Sequence, residues 1–313
     1  MLLMLLLLLA VPAAAQPGVS DWPNRDIRII VPFPPGDAAD EEARRLGAHF
    51  AEIFGVSVVV DNRAGVSGRM GVDLAHRSAP DGYTLTMGAS GPLTLLPQMM
   101  GANYDPVSSF APVLLTAVMP LLLVTPEGPA YARVHDLVLR ARGTRGGLNG
   151  CSPGIATPSH IAVLLFARAL DIEVLHVPYR GAHAALTDVI TARCDLMFEN
   201  AASAGRHVRA GRLQAVGITA DAAADAWPGV PALQGVRLHT WTALIAPHGT
   251  HPLIVAQLND AGRRFAARPE QRERILREGG RPMDLAPSEV RSFMRREVEM
   301  WRAILRDLDL WRG

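Results

Sequence analysis

The sequence contains no lysine: its 31 basic residues are all arginine, set against 30 acidic ones, for a formal net charge of +1. We read the arginine usage as genome composition. A balance so close to neutral leaves no electrostatic footprint for nucleic acid, and no basic run with interleaved aromatics occurs. The lysine of a phosphate-binding P-loop is missing too, so the glycine-rich GVSGRMG at residues 65–71, spaced GxxGxxG, is not one. Cysteine is scarce: there are two, Cys151 and Cys194, and no CxxC. The apolar run MLLMLLLLLAV at residues 1–11 falls short of the ~20 residues that a membrane-spanning helix needs. The remainder, 49% hydrophobic and 19% charged, is ordinary for a globular chain and excludes wholesale disorder.

The opening run gives way to Ala13-Ala14-Ala15 before Gln16, an A-x-A pattern, although no Lys or Arg precedes it. Residues 1–15 read as an export signal, with the mature chain starting near Gln16. No cysteine follows the cleavage site, so no lipid anchor is implied. Export with an even cysteine count invites a disulfide. Against it, a chain of 313 residues needs no staple. If the strands near residues 148–152 and 194–200 are parallel neighbours, the two thiols fall at opposite ends and cannot meet. The expectation is two free, buried thiols.

Strand-like and helix-like runs alternate. IRIIVPF (27–33) ends at Pro-Pro-Gly before a helical segment, then come VSVVVDN (56–62), a short helix after Gly68 and YTLTMGAS (83–90). That order predicts a mostly parallel α/β sheet covered on both faces. VLLTAVMPLLLVTP (113–126) carries Pro120 in its middle and reads as two strands, or as one strand crossing between domains. A second α/β series follows: strands at 148–152, 173–179 and 194–200, each leading to a helix, then 213–219 and 241–247. From Pro252 the chain is helical and charged. Ligands of open α/β sheets bind beyond the C-terminal ends of strands, so the loops after Phe33, Met87, Cys151, Val177 and Phe198 are the candidates.

Gly150-Cys151-Ser152-Pro153-Gly154 spells G-x-S-x-G, the hydrolase nucleophile elbow. The residue after the serine must donate its N–H to the oxyanion, and Pro153 has none. The helix also starts late, with Thr157 as N-cap and Pro158 at its first position. A hydrolase acting through Ser152 is therefore the weakest of the functional readings. The loop is better suited to presenting N–H groups at a helix end, an anion site. His248 and His251 form an HxxH without a Glu or third ligand, so no metal is expected, and no cofactor motif is present. Asp40 and Glu41, in the first turn of a helix, have an ordinary capping role. Asp37 sits on the ligand-facing loop.

Several stretches together resemble one family. They are WPNRDIRIIVPFPPG (22–36), VVVDNRAGVSGRMG (58–71), APDGYTLTMG (79–88), NYDPVSSFAPV (103–113), LNGCSPGIATPSHIA (148–162), HVPYRGAHAALTDVITARCDLMFEN (176–200) and WTALIAPHGT (241–250). In order and in combination they resemble the Bug receptors, the extracytoplasmic solute-binding proteins of tripartite tricarboxylate transporters. The resemblance implies an α/β, bilobal periplasmic binding protein fold with a ligand cleft and two interlobe crossovers. Lobe 1 would span residues 22–124 and 218–313, and lobe 2 residues 125–217. It also implies a small carboxylate, amino acid or related acid or amide as ligand, and the permease subunits of the transporter as partners of a monomer. A receptor presenting its ligand to a sensor kinase is the alternative.

Carried over by position, the ligand loops are Phe33, Pro35, Gly36, Asp37, Ala38 and Asp40 in the first lobe, with Ser90 and Gly91 beside them. The second lobe would contribute Ser152, Gly154, Ile155, Ala156, Thr157 and His160, then Tyr179, Arg180, Gly181 and Glu199. Asp188 also matches the pattern. The family usually has Pro-Gly-Gly with a hydroxyl residue before the aspartate; here Asp37-Ala38-Ala39 follows Gly36. A carboxylate replaces a glycine. At 4 Å from a ligand carboxylate it would repel by about 4 kcal/mol at an effective dielectric of 20. Two readings stay open: Asp37 meets an ammonium or amide group of a ligand that is not a simple dicarboxylate, or it turns to solvent or caps the helix.

Overall fold

The computed structural model describes residues 21–220 and 225–312. The expected export signal lies outside them. Strands β1 (Ile27–Val31), β2 (Val58–Asn62) and β3 (Thr84–Ala89) are parallel, with β1 in the middle. Between the first two runs α1 (Ala38–Phe54), which ends at Gly55, φ 67°, whose N–H caps Ala51. Ala43, Leu46 and Phe50 of α1 bury against Ile29 and Leu85. Burying Leu46 and Phe50 contributes on the order of 1.5–3 kcal/mol each. The short α2 (Arg69–His76) precedes β3, and the short α3 (Leu96–Met100) follows it.

The apolar run around Pro120 forms one strand, β4 (Phe110–Pro126), buried along nearly all of its 17 residues. Its first part pairs antiparallel with β9 (His239–Pro247), which also pairs with β3. Its second part pairs with β7 (Leu196–Asn200) and β8 (Leu213–Ile218). Pro120 lies opposite His239, and the next residue, Leu121, lies opposite Asn200. A proline lacks an N–H, and here it falls where the strand exchanges partners. The two halves of the molecule thus share one strand, and the chain returns between β8 and β9. A two-residue strand β10 (Arg281–Pro282) also pairs with β4.

The second half repeats the first. β5 (Leu148–Ser152) lies between β6 (Val174–Pro178) and β7, all parallel. The connecting helices are α5 (Pro158–Leu170), α6 (Ala182–Ile190) and α7 (Ala201–Arg209). The predicted cap of α5 is present: the Thr157 side chain accepts from His160 N–H at 3.2 Å. A helix absent from the sequence reading, α4 (Val134–Gly143), precedes β5. After α8 (Pro252–Ala267) and α9 (Pro269–Arg277), the last helix, α10 (Pro287–Asp307), runs from one half to the other. Its Val290, Phe293 and Met294 pack with Trp241 and Ile245, whereas Trp301 and Leu305 pack with Phe166 and Phe198. Arg168 of α5 pairs with Asp307 at 2.9 Å.

The expectation of free thiols is overturned: Cys151 and Cys194 form a disulfide, with 6.2 Å between their Cα atoms. The strands are parallel neighbours, as the argument required. What fails is the assumption that Cys194 extends along the line of β7. Its N–H donates to Asp188 O at the end of α6, so it belongs to the helix's closing turn, folded over the sheet face. There it joins Cys151, Ala185, Val189 and Met197 in one apolar cluster.

Candidate functional site

The strand ends of both halves face a common cleft, and a cavity of about 90 Å³ lies there. The first half supplies Phe33, Asp37 and Ala38 from the start of α1, and Ser90 and Gly91 from the end of β3. The second half supplies Thr157 at the start of α5 and Glu199 at the end of β7. These seven were expected from the sequence. Pro158 and Ser159, in the first turn of α5, lie within the expected loop from Ser152 to His160, whereas Leu121 at the strand exchange and Ala182 were missed by the sequence reading. Thr240 and Thr242 of β9 are likewise unforeseen. Their signal was available only as position, next to the crossover.

The other expected residues lie around the cavity rather than on it. Pro35, Gly36, Ile155 and Arg180 are exposed. Asp40 is buried beneath the loop, where it accepts from Gly36 N–H at 2.9 Å, Arg44 Nε at 3.0 Å and Asn62 Nδ2 at 2.9 Å. Burial pushes its carboxyl up, but these bonds outweigh burial and hold it below the ordinary carboxylate range. Asp40 therefore shapes the loop. Tyr179 donates its hydroxyl to Asp188 at 2.7 Å, and its N–H to Ser152 O.

Ser152 is fully buried. Its Oγ donates to Gly154 O at 3.0 Å, accepts from Gly154 N–H at 3.2 Å and lies 2.7 Å from His176 Nε2. His160 stacks on His176 with ring centroids 4.0 Å apart, and its Nδ1 accepts from Ala156 N–H at 3.4 Å. Burial pulls His176 down to about 4; burial and the neighbouring His176 pull His160 down to about 3. Both rings are neutral at physiological pH. This Ser–His contact is a polar brace under the loop formed by Gly154, Ile155 and Ala156, with the serine hydroxyl turned into the interior. His251 of the HxxH caps α8, its Nδ1 accepting from Leu253 N–H at 3.2 Å. Among the described residues no group of His, Cys, Asp and Glu could hold a metal ion, and no helix is long and apolar enough to cross a membrane.

Two carboxyl groups face the cavity. Asp37, 8% exposed, reaches across the cleft to the start of α6, where a Cβ on Gly181 would stand 3.4 Å from its Oδ2. Burial raises its pKa to about 6; Ala182 N–H and Arg206 lower it, and Asp40 and Glu41 raise it. Glu199, 5% exposed, is raised to about 8 by burial first and by the charge of Asp37 second. Asn200 N–H, Ser203 and Arg206 act against that rise. Near neutral pH, then, Asp37 is charged and Glu199 keeps its proton, a hydrogen-bond donor inside the cleft.

The halves are closed on one another. Arg206 of α7 reaches Glu41 of α1 at 3.3 Å. A Cβ on Gly181 would stand 3.1 Å from Pro34 Cγ, and one on Gly91 would stand 3.3 Å from Ala156 O and 3.4 Å from Pro158 Cδ. Gly91 is therefore the place to block closure without straining the backbone. Gly91→Val should leave the melting temperature of the unliganded protein within a degree or two of native. Overpacking of 1–3 kcal/mol confined to the closed state should weaken ligand binding by roughly 5- to 150-fold. Calorimetry measures the affinity, and small-angle scattering the loss of ligand-induced compaction.

Comparison with known proteins agrees with this architecture. The family model described as the tripartite tricarboxylate transporter family receptor matches residues 42–310. A protein from the tcbD-tcbE intergenic region of a Pseudomonas species is 33% identical over 91% of this chain and 86% of its own length. Protein BugT of Bordetella pertussis is 29% identical over 94% of this chain and 92% of its own. Among solved structures, MatC of Rhodopseudomonas palustris with bound malate superposes with a TM-score of 0.84 at 28% identity, covering 91% of this chain and all of that one. Rpa4515 of R. palustris, with adipate, gives 0.86 at 27% identity, covering 91% and 98%. A strand shared by two α/β halves, helix ends converging on one cleft and a family match over most of the length lead to one assignment: the chain belongs to the receptor family of tripartite tricarboxylate transporters.

Proposed function

We propose that the protein captures a small acid, amino acid or acid amide in the interlobe cleft and hands it, chemically unchanged, to a membrane permease from the periplasm. The observation that carries this reading is the cavity itself, walled by Asp37, Ser90 and Gly91 from one half and by Thr157, Ser159 and Glu199 from the other. A solute touching both halves favours the closed state by the difference between its affinities for closed and open forms. The chain up to Pro120, together with β9, moves as one lobe, and β5 to β8 with the second part of β4 as the other, hinged at Pro120 and at the return between β8 and β9. The buried position of Ser152, behind a proline that lacks an N–H, argues for capture without chemistry.

A thermal-shift screen of the mature protein against carboxylates, amino acids, aromatic acids and their amides tests this. Malate and adipate, the ligands of the two similar structures, belong in it. A ligand at 100 times its Kd adds about 2.7 kcal/mol, a shift of several degrees. The expected result is one chemical class that shifts the melt and is recovered intact. A compound recovered cleaved, or no shift across the panel, contradicts the proposal.

A further inference from the structure

The solute's charge can be read from what the cleft already holds. α6 begins at Gly181, which has no side chain with which to cap the helix's free N–H groups. The opposite half brings an acid there: a Cβ on Gly181 would stand 3.4 Å from Asp37 Oδ2, and the Ala182 N–H lowers the pKa of that carboxyl. The end of α6 is a helix N-terminus that attracts anions, and the chain fills it with its own carboxylate. A carboxylate of the solute arriving there would have to displace Asp37 or lie against it.

The rest of the wall points the same way. No basic side chain lines the cavity among the described residues. The cation whose charge reaches both Asp37 and Glu199 is Arg206, and its guanidinium is paired with Glu41 at 3.3 Å, outside the cavity wall. The hydroxyls present already have partners: Ser90 is linked to Thr240 at 3.1 Å and Thr242 to Thr116 at 3.3 Å, Thr157 donates to Gly154 O at 2.8 Å, and Ser159 donates to Phe198 O. Asn200 turns its Oδ1 to Ala202 N–H at 2.9 Å. Two carboxyl groups thus share a buried space without a cationic partner inside it. Burying a charge without a partner is costly, and a group of opposite sign relieves the cost.

We propose that the solute carries a protonated nitrogen seated between Asp37 and Glu199, with its acid group toward Ser90, Gly91 and the first turn of α5. The solute is then a short amino acid, with its amine at the end or beside the acid, and not a dicarboxylate. This rests on the receptor reading above. A cation there also draws Glu199 toward ionisation, so that binding releases a proton into the solvent.

The test uses length-matched pairs of compounds of three to six carbons, each a dicarboxylate and the ω-amino acid of the same length, together with the α-amino acids. Melting curves and calorimetric titrations are run on the native protein and on Asp37→Asn and Glu199→Gln. The expected result is that an amine-bearing member binds native protein at least tenfold tighter than its dicarboxylate partner. Asp37→Asn should lose at least tenfold for the amine and gain for the dicarboxylate. Dicarboxylates binding native protein as tightly as the amines, or an amine preference intact in both variants, overturns the proposal and leaves the receptor reading standing. Failure of every member, aromatic acids and amides included, overturns both. If Asp37→Asn does not fold, the preference of the native protein and of Glu199→Gln decides.

Discussion

Replacing Cys151 and Cys194 together by alanine should lower the free energy of unfolding by about 4 kcal/mol. The disulfide joins positions 43 residues apart. In the chain-entropy model a loop of that length removes enough freedom from the unfolded chain to stabilise the native state by about that amount. The bond ties the closing turn of α6 to β5, immediately under the loop that reaches the cleft. The local consequence is a less firmly seated α6, the helix whose first turn receives Asp37 from the other half. Urea unfolding of native and doubly substituted protein measures the difference. A midpoint unchanged within error would mean that the two sulfurs are not bonded in the folded protein.

Glu199→Gln should reverse an alkaline weakness of the unliganded protein. The native carboxyl holds its proton up to about pH 8, because burial and the charge of Asp37 oppose ionisation, against an ordinary value of 4.5. Between those two pH values the unfolded chain has released the proton while the folded chain keeps it. Stability therefore falls as pH rises through this window and levels off above 8. Moving a glutamate that far corresponds to roughly 5 kcal/mol across the window. Asp37, raised from 3.8 to about 6, has the same sign over a lower range. Glutamine keeps the size and the polar contacts and cannot ionise. Variant and native protein should be equally stable near pH 5, and the variant the more stable near pH 8.5. Curves that run parallel across that range would contradict the placement of Glu199 beside Asp37.

Much of the fold is legible in the sequence because its signals are local. The apolar runs ending in Pro-Pro-Gly or Thr-Pro mark strand ends and helix starts by the chemistry of single residues. Pro120 inside a long apolar run announces a change of pairing, since a missing N–H must fall where no ladder bond is needed. The disulfide was not legible. Its geometry depends on Cys194 leaving the line of β7 to close α6, and nothing in the residues around it announces that turn. α4 escaped because its two buried residues, Leu137 and Ala141, are set among arginines, leaving a weak helical period.

The candidate site divides in the same way. Loops at strand ends are predictable from the topology of α/β sheets, and the family resemblance placed Asp37, Ser90, Gly91, Thr157 and Glu199 on those loops. Thr240, Thr242 and Leu121 sit on strands that cross between halves, and they reach the cavity only once β4 and β9 are paired. Ser152 shows the converse. Its position in the loop is as expected, but the sequence does not reveal that His176, 24 residues on, draws the hydroxyl inward. The approach of Asp37 to Glu199 joins residues far apart in sequence that stand on opposite halves of the cleft.

The most direct test of the account is a calorimetric titration of the mature protein with the compound that shifts its melt most. The same titration is run on Gly91→Val, and the ligand is recovered afterwards from heat-denatured protein. The account predicts one site per chain, a ligand recovered with every bond intact, and affinity weakened at least fivefold when the halves are held apart. A ligand that comes back altered, or an affinity indifferent to Gly91→Val, would contradict capture between closing lobes.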